Sequence, residues 1–89
     1  MFRVLTMSKK RTKYNHNHGY VASRKILDGR YKNDIVVLYD NRDGVQCGEG
    51  SGKWVIVNET RSGMLSNTTK SVAFQDLKAI ASGISDWEF

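Results

Sequence analysis

Five consecutive apolar or aromatic residues, Ile35 to Tyr39 (IVVLY), interrupt an otherwise polar chain. The run is too short and too β-branched for a helix, so it reads as the central strand of a sheet. A second strand follows at "KWVIVNE", where Trp54, Ile56 and Asn58 alternate with Val55 and Val57. Upstream, "YVASRKIL" mixes β-branched, aromatic and basic residues and runs into Asp28-Gly29, a pair that signals a hairpin because both turn positions favour positive φ. Between the two clearest strands, "DNRDGVQCGEGSGK" holds Gly44, Gly48, Gly50 and Gly52 and reads as a long flexible connection. "TRSGML" predicts a turn at Ser62-Gly63 and a short strand through Leu65.

The last element is helical. Ala73, Leu77, Ile80 and Ile84 recur at helical spacing, widened by Phe74 and Ala81, with Asn67 or Thr68 as the cap and Ser82-Gly83 as the stop. "ISDWEF" then returns Trp87 and Phe89 to the core or to a partner. The expected fold is α+β: a three- to four-stranded antiparallel sheet packed on one C-terminal helix. A basic N-terminal arm over residues 1–19 precedes a single small domain over 20–89. The expected core is Ile26, Val36, Leu38, Trp54, Ile56, Ala73, Leu77 and Ile80.

At 89 residues, only about 60 to 65% of the unfolded chain's surface is buried on folding. No apolar stretch approaches the roughly 18 residues of a membrane span, and "MFRVLTM" lacks the features of a signal peptide. Met7, followed by "SKKRTKY", serves equally well as a start. The single cysteine, Cys47, excludes an internal disulfide, and a cytoplasmic location is expected.

Charge divides the chain. Residues 1–32 carry nine Lys or Arg against one acid, Asp28, whereas residues 33–89 carry five basic and eight acidic residues, so +8 and −3 make up the net +5. Such asymmetry favours an anionic partner, nucleic acid first. In "KKRTKYNHNHGY", Lys9, Lys10, Arg11 and Lys13 can neutralise phosphates while Tyr14, His16, His18 and Tyr20 offer rings for stacking on bases. Arg24, Lys25, Arg30 and Lys32 flank the expected hairpin and extend the patch.

Other chemistries find less support. His16 and His18 are spaced for a shared metal, but the remaining candidates, Cys47, Asp28, Asp34 and Glu49, have no recognisable spacing, and neither a metal nor a cofactor is expected. "GEGSGK" departs from a phosphate loop at both ends: Cys47 stands at the first glycine position and Trp54 in place of Ser/Thr, and the stretch opens a strand. Cys47 with a histidine is a catalytic pair on paper only, since both histidines sit on the expected arm; Asp40 and Asp43 read as turn formers. No enzyme is expected.

Tyr39-Asp40, Trp54, Thr69, Ala73 and Trp87 resemble the pattern of small uncharacterised bacterial and phage domains. Those domains have a Tyr-Asp motif, a Trp-led strand ending in Cys and His, and a closing Trp-Cys-x-x-Cys. The resemblance covers the second half of the chain and implies a fold. It also implies that the metal ligands have been lost, because Asn58, Arg61 and Glu88 occupy their positions. The element order is also similar to three-stranded sheets backed by one helix in phage and plant-type DNA-binding domains and integrase arm-binding domains. The leading expectation is a non-enzymatic nucleic-acid-binding protein, for RNA or DNA. The alternative is a protein-interaction module, such as a phage-type inhibitor of a host enzyme, using the acidic second half or Trp87 and Phe89.

Overall fold

A computed structural model of the chain describes residues 14–83. Among the described residues, four strands, β1 (Tyr20–Lys25), β2 (Ile35–Asn41), β3 (Lys53–Asn58) and β4 (Gly63–Thr68), precede one helix, α1 (Lys70–Ala81). The strands form an antiparallel meander in sequence order, β1-β2-β3-β4. This is the α+β architecture the periodicities predict, with the fourth strand present and running three residues beyond Leu65.

The helix covers one face of the sheet. Residues paired across neighbouring strands point to the same face, so the register Val36↔Asn58, Leu38↔Ile56 and Asp40↔Trp54 aligns one row of side chains beneath α1. All eight expected core residues lie in that cluster, joined at its margin by Val21, Ala22, Tyr31 and Leu65. Ala73, Leu77 and Ile80 are the buried stripe of α1, while Phe74 stays exposed. Thr69, one residue beyond Thr68 and two beyond Asn67, is the N-cap. Gly83, at φ 91°, ends the helix as its sequence position predicts. Ile84, Trp87 and Phe89 lie outside the described residues.

The opposite face is also buried, although no periodic signal in the N-terminal segment marks its cover. Val37, Tyr39, Val55 and Val57 form a second cluster, covered by Tyr14 and flanked by Ile35, Cys47 and Met64. Residues 14–19 therefore belong to the folded body, and the expected boundary at residue 20 moves toward the N-terminus. Tyr14 is only 8% exposed, and its ring stacks on Tyr39 at 6.0 Å.

Two connections also differ from expectation. Asp28-Gly29 does not close a two-residue hairpin. β1 ends at Lys25, and the loop to β2 is held by Ile26 N–H donating to the Asp34 carbonyl (2.9 Å) and Asn33 N–H donating to the Ile26 carbonyl (2.8 Å). The positive φ of Gly29, 88°, serves the approach of this loop to the helix end: a Cβ there would stand 2.9 Å from the Gly83 carbonyl oxygen. Leu27 N–H donates to the Ala81 carbonyl at 2.9 Å, so the loop closes the C-terminus of α1.

The glycine-rich connection between β2 and β3 is organised by a buried side chain. Asn41 Oδ1 accepts hydrogen bonds from the Gln46 and Cys47 amides, each at 3.0 Å, and Asn41 Nδ2 donates to the Cys47 carbonyl. A short 3-10 turn, Gly48–Gly50, then leads into β3. Gly50 is buried against Val55, and a methyl group there would run into Val55 Cγ1 and crowd Asn41 Nδ2. Gly50→Ala is expected to destabilise the fold by about 1–3 kcal/mol, measured as a shift in the urea unfolding midpoint.

Candidate nucleic-acid interface

Gln46 carries the order of the loop to the N-terminal segment. Its side-chain oxygen accepts the Asn15 amide at 2.8 Å, while its side-chain nitrogen donates to the carbonyls of Asn15 (2.5 Å) and His18 (2.9 Å). Asp40 N–H donates to the Gly19 carbonyl at 2.7 Å. The segment is thereby laid across the second face and leads three rings to Tyr39. Tyr14, His16 and Tyr20 lie at centroid distances of 6.0, 6.2 and 6.4 Å from it, and His16 and Tyr20 are 5.0 Å apart.

These rings differ in what they can offer a ligand. Tyr14 is packed beneath the loop, so the expectation that it stacks on bases is corrected: burial in the second cluster spends its ring on the fold. Tyr20 is 43% exposed and is steadied by its hydroxyl donating to Ser23 Oγ at 3.0 Å. His16, exposed beside it, places Nε2 2.6 Å from Glu59 Oε2. The same carboxylate oxygen accepts the Tyr39 hydroxyl at 3.4 Å. Burial, and then the neighbouring Glu59, push the Tyr39 phenol well above its ordinary range, so it remains a neutral donor.

The two histidines serve separate carboxylates. His18 Nε2 lies 2.9 Å from Asp43 Oδ2, and neither imidazole engages Cys47, so the paper pairing of a cysteine nucleophile with a histidine base is not assembled. Among the described residues, no group of three or more His, Cys, Asp and Glu side chains is gathered as a metal site would require. Asp43 acts as a turn residue, whereas Asp40, expected at a turn, lies within β2 and pairs across from Trp54. Asp43 Oδ1 accepts the Val45 amide at 3.0 Å, and Asp40 forms a two-pronged pair with Arg42, at 3.0 and 2.7 Å. Hydrogen bonding from Arg42 holds the Asp40 carboxyl below its usual range, and the Val45 amide does the same for Asp43.

Lys9, Lys10, Arg11 and Lys13 lie outside the described residues. The other four expected cations are exposed but do not share one face. Arg24 pairs across from Val36 and points to the helix side, whereas Lys25 pairs across from Ile35 and points to the side of Tyr20. Arg30 and Lys32 flank Tyr31, whose ring lies between Arg30 and Arg61 at 5.1 and 5.0 Å. Arg61 is itself fixed by the buried Asp34, with Nε 2.5 Å from Oδ2, and Asn58 Nδ2 donates to the same oxygen at 3.0 Å. Among the described residues, Arg24, Lys25, Arg30 and Lys32 have no carboxylate partner, while Arg42 and Arg61 both do.

Position alone gives these four cations a structural use. Arg24 and Lys25 lie on an edge strand, where charge discourages sheet-to-sheet association. The loop carrying Arg30 and Lys32 abuts the C-terminus of α1, whose carbonyls favour positive charge.

No protein family, curated protein or solved structure matches this chain. Among the described residues, no helix is long and apolar enough to cross a membrane.

Proposed function

We propose that the protein is a non-enzymatic binder of nucleic acid, RNA or DNA, which it holds through residues 9–13 and the β1 region. One observation carries the reading: Arg24, Lys25, Arg30 and Lys32 are exposed and unpaired with any described carboxylate, in a body whose other arginines are paired. Cations without a carboxylate partner keep an uncompensated charge for phosphates, and each phosphate contact releases counterions. In sequence, Lys9, Lys10, Arg11 and Lys13 come just before Tyr14, and the exposed His16 and Tyr20 rings follow. Rings beside free cations are the elements that a sequence-tolerant nucleic-acid binder uses.

Neutralising the four body cations together, as Arg24→Gln, Lys25→Gln, Arg30→Gln and Lys32→Gln, is expected to weaken binding to a mixed-sequence oligonucleotide by about tenfold or more in a mobility-shift titration. The comparison is Arg42→Gln, which removes one positive charge already paired with Asp40. A loss from Arg42→Gln as large as from the fourfold variant would contradict the assignment.

A further inference from the structure

β1 is one of the two edge strands of the described sheet, and ligand-ready groups lie on both of its sides. On the second face are Lys25 and the exposed ring of Tyr20. On the helix face, a groove of about 420 Å³ runs between β1 and α1, lined by Arg24, Leu27, Phe74, Leu77, Lys78 and Ala81, with Ser82 at its end. Its walls are apolar, with Leu27 70% and Phe74 42% exposed. Two cations rim it, and among the described residues no carboxylate lines it.

Resting on the nucleic-acid reading above, we infer that this groove seats a base, and that the ligand is a single strand passing over the β1 edge from the Tyr20 side to the Phe74 side. The chemistry selects a single strand for two reasons. A duplex keeps its base faces inside the stack, so exposed rings gain nothing from it, whereas an unpaired base stacks on an aromatic ring. A duplex also meets a protein as a stiff rod against one surface, but Arg24 and Lys25 are consecutive and point to opposite faces. A flexible backbone turning over the edge brings phosphates to both. The helix C-terminus and the edge-strand position account for cations here, yet neither calls for an exposed aromatic ring between Arg24 and Lys78.

Fluorescence anisotropy with the full-length protein tests this, using labelled RNA and DNA single strands of about 12 nucleotides, a length within one single-strand site, and the matching duplexes. Single strands are expected to bind about tenfold or more tightly than duplexes. Phe74→Leu should weaken single-strand binding about fivefold or more while leaving duplex binding unchanged, and Phe74→Tyr should retain it. Duplex binding equal to or tighter than single-strand binding would overturn the inference and leave the nucleic-acid reading standing. So would a silent Phe74→Leu, or occupation of the groove by an acidic Trp-bearing peptide without competition from the oligonucleotide. Absence of binding to every probe at low salt would overturn the nucleic-acid reading itself.

Discussion

Replacing Asn41 with alanine is expected to lower the stability of the fold by about 3 kcal/mol, from three hydrogen bonds worth about 1 kcal/mol each. The side chain is fully buried and holds the Gln46 amide, the Cys47 amide and the Cys47 carbonyl; the carbonyl also accepts the Gly50 amide at 3.0 Å, but the two amides have no other partner among the described residues. Small domains hold only about 5–15 kcal/mol in all, so the melting temperature should drop by about 12–20 °C. The effect reaches further because Gln46 in turn holds Asn15 and His18. Hydrogen exchange at the Asn15 and His18 amides should accelerate in Asn41→Ala beyond what global destabilisation accounts for. A variant that melts like the parent protein would show that the loop is held by something other than Asn41.

Neutralising Lys9, Lys10, Arg11 and Lys13 to glutamine is expected to reduce affinity for single-stranded nucleic acid on the order of a hundredfold near 0.1 M salt, since each contact to a single strand contributes about 0.7 to the salt exponent. Substitution is a cleaner test than removing residues 1–19. Tyr14 covers Val37, Tyr39, Val55 and Val57, and Gln46 binds the Asn15 and His18 backbone, so a truncation before Tyr20 would strip part of the core along with the charge. The substituted protein should melt with the parent while binding weakly; a variant that binds as tightly as the parent would place the interface wholly on the body.

The helix-side core was readable because its signals are local and periodic. Trp54 and Ile56 alternate along β3, Ala73, Leu77 and Ile80 recur along α1, and Val36 and Leu38 stand within an unbroken apolar run. The second core was hidden because its cover comes from a stretch without apolar periodicity. Tyr14 sits among cations, Asn and His, and only the tertiary contact with Tyr39 reveals its role. An unbroken run such as "IVVLY" did carry the missing information, since strands without polar alternation are buried on both faces. The order of the glycine-rich loop was not legible, because it depends on one amide side chain bonding residues five and six positions onward. Asp28-Gly29 misled for a related reason: its positive φ is used in docking to the helix end, a partner far away in sequence. Of the candidate site, residue types and charge were legible, but the division of Arg24 and Lys25 between two faces required the strand register.

The central claim, that the cations at residues 9–13 and around β1 bind a nucleic-acid backbone, is tested most directly by the salt dependence of oligonucleotide binding. Eight cations, Lys9, Lys10, Arg11, Lys13, Arg24, Lys25, Arg30 and Lys32, predict a slope of log affinity against log salt of about −5 to −6 for single strands. Between 50 and 200 mM salt, affinity should therefore fall on the order of a thousandfold, with the slope halved when residues 9–13 are neutralised. A slope near zero, or one indifferent to those substitutions, would contradict the account.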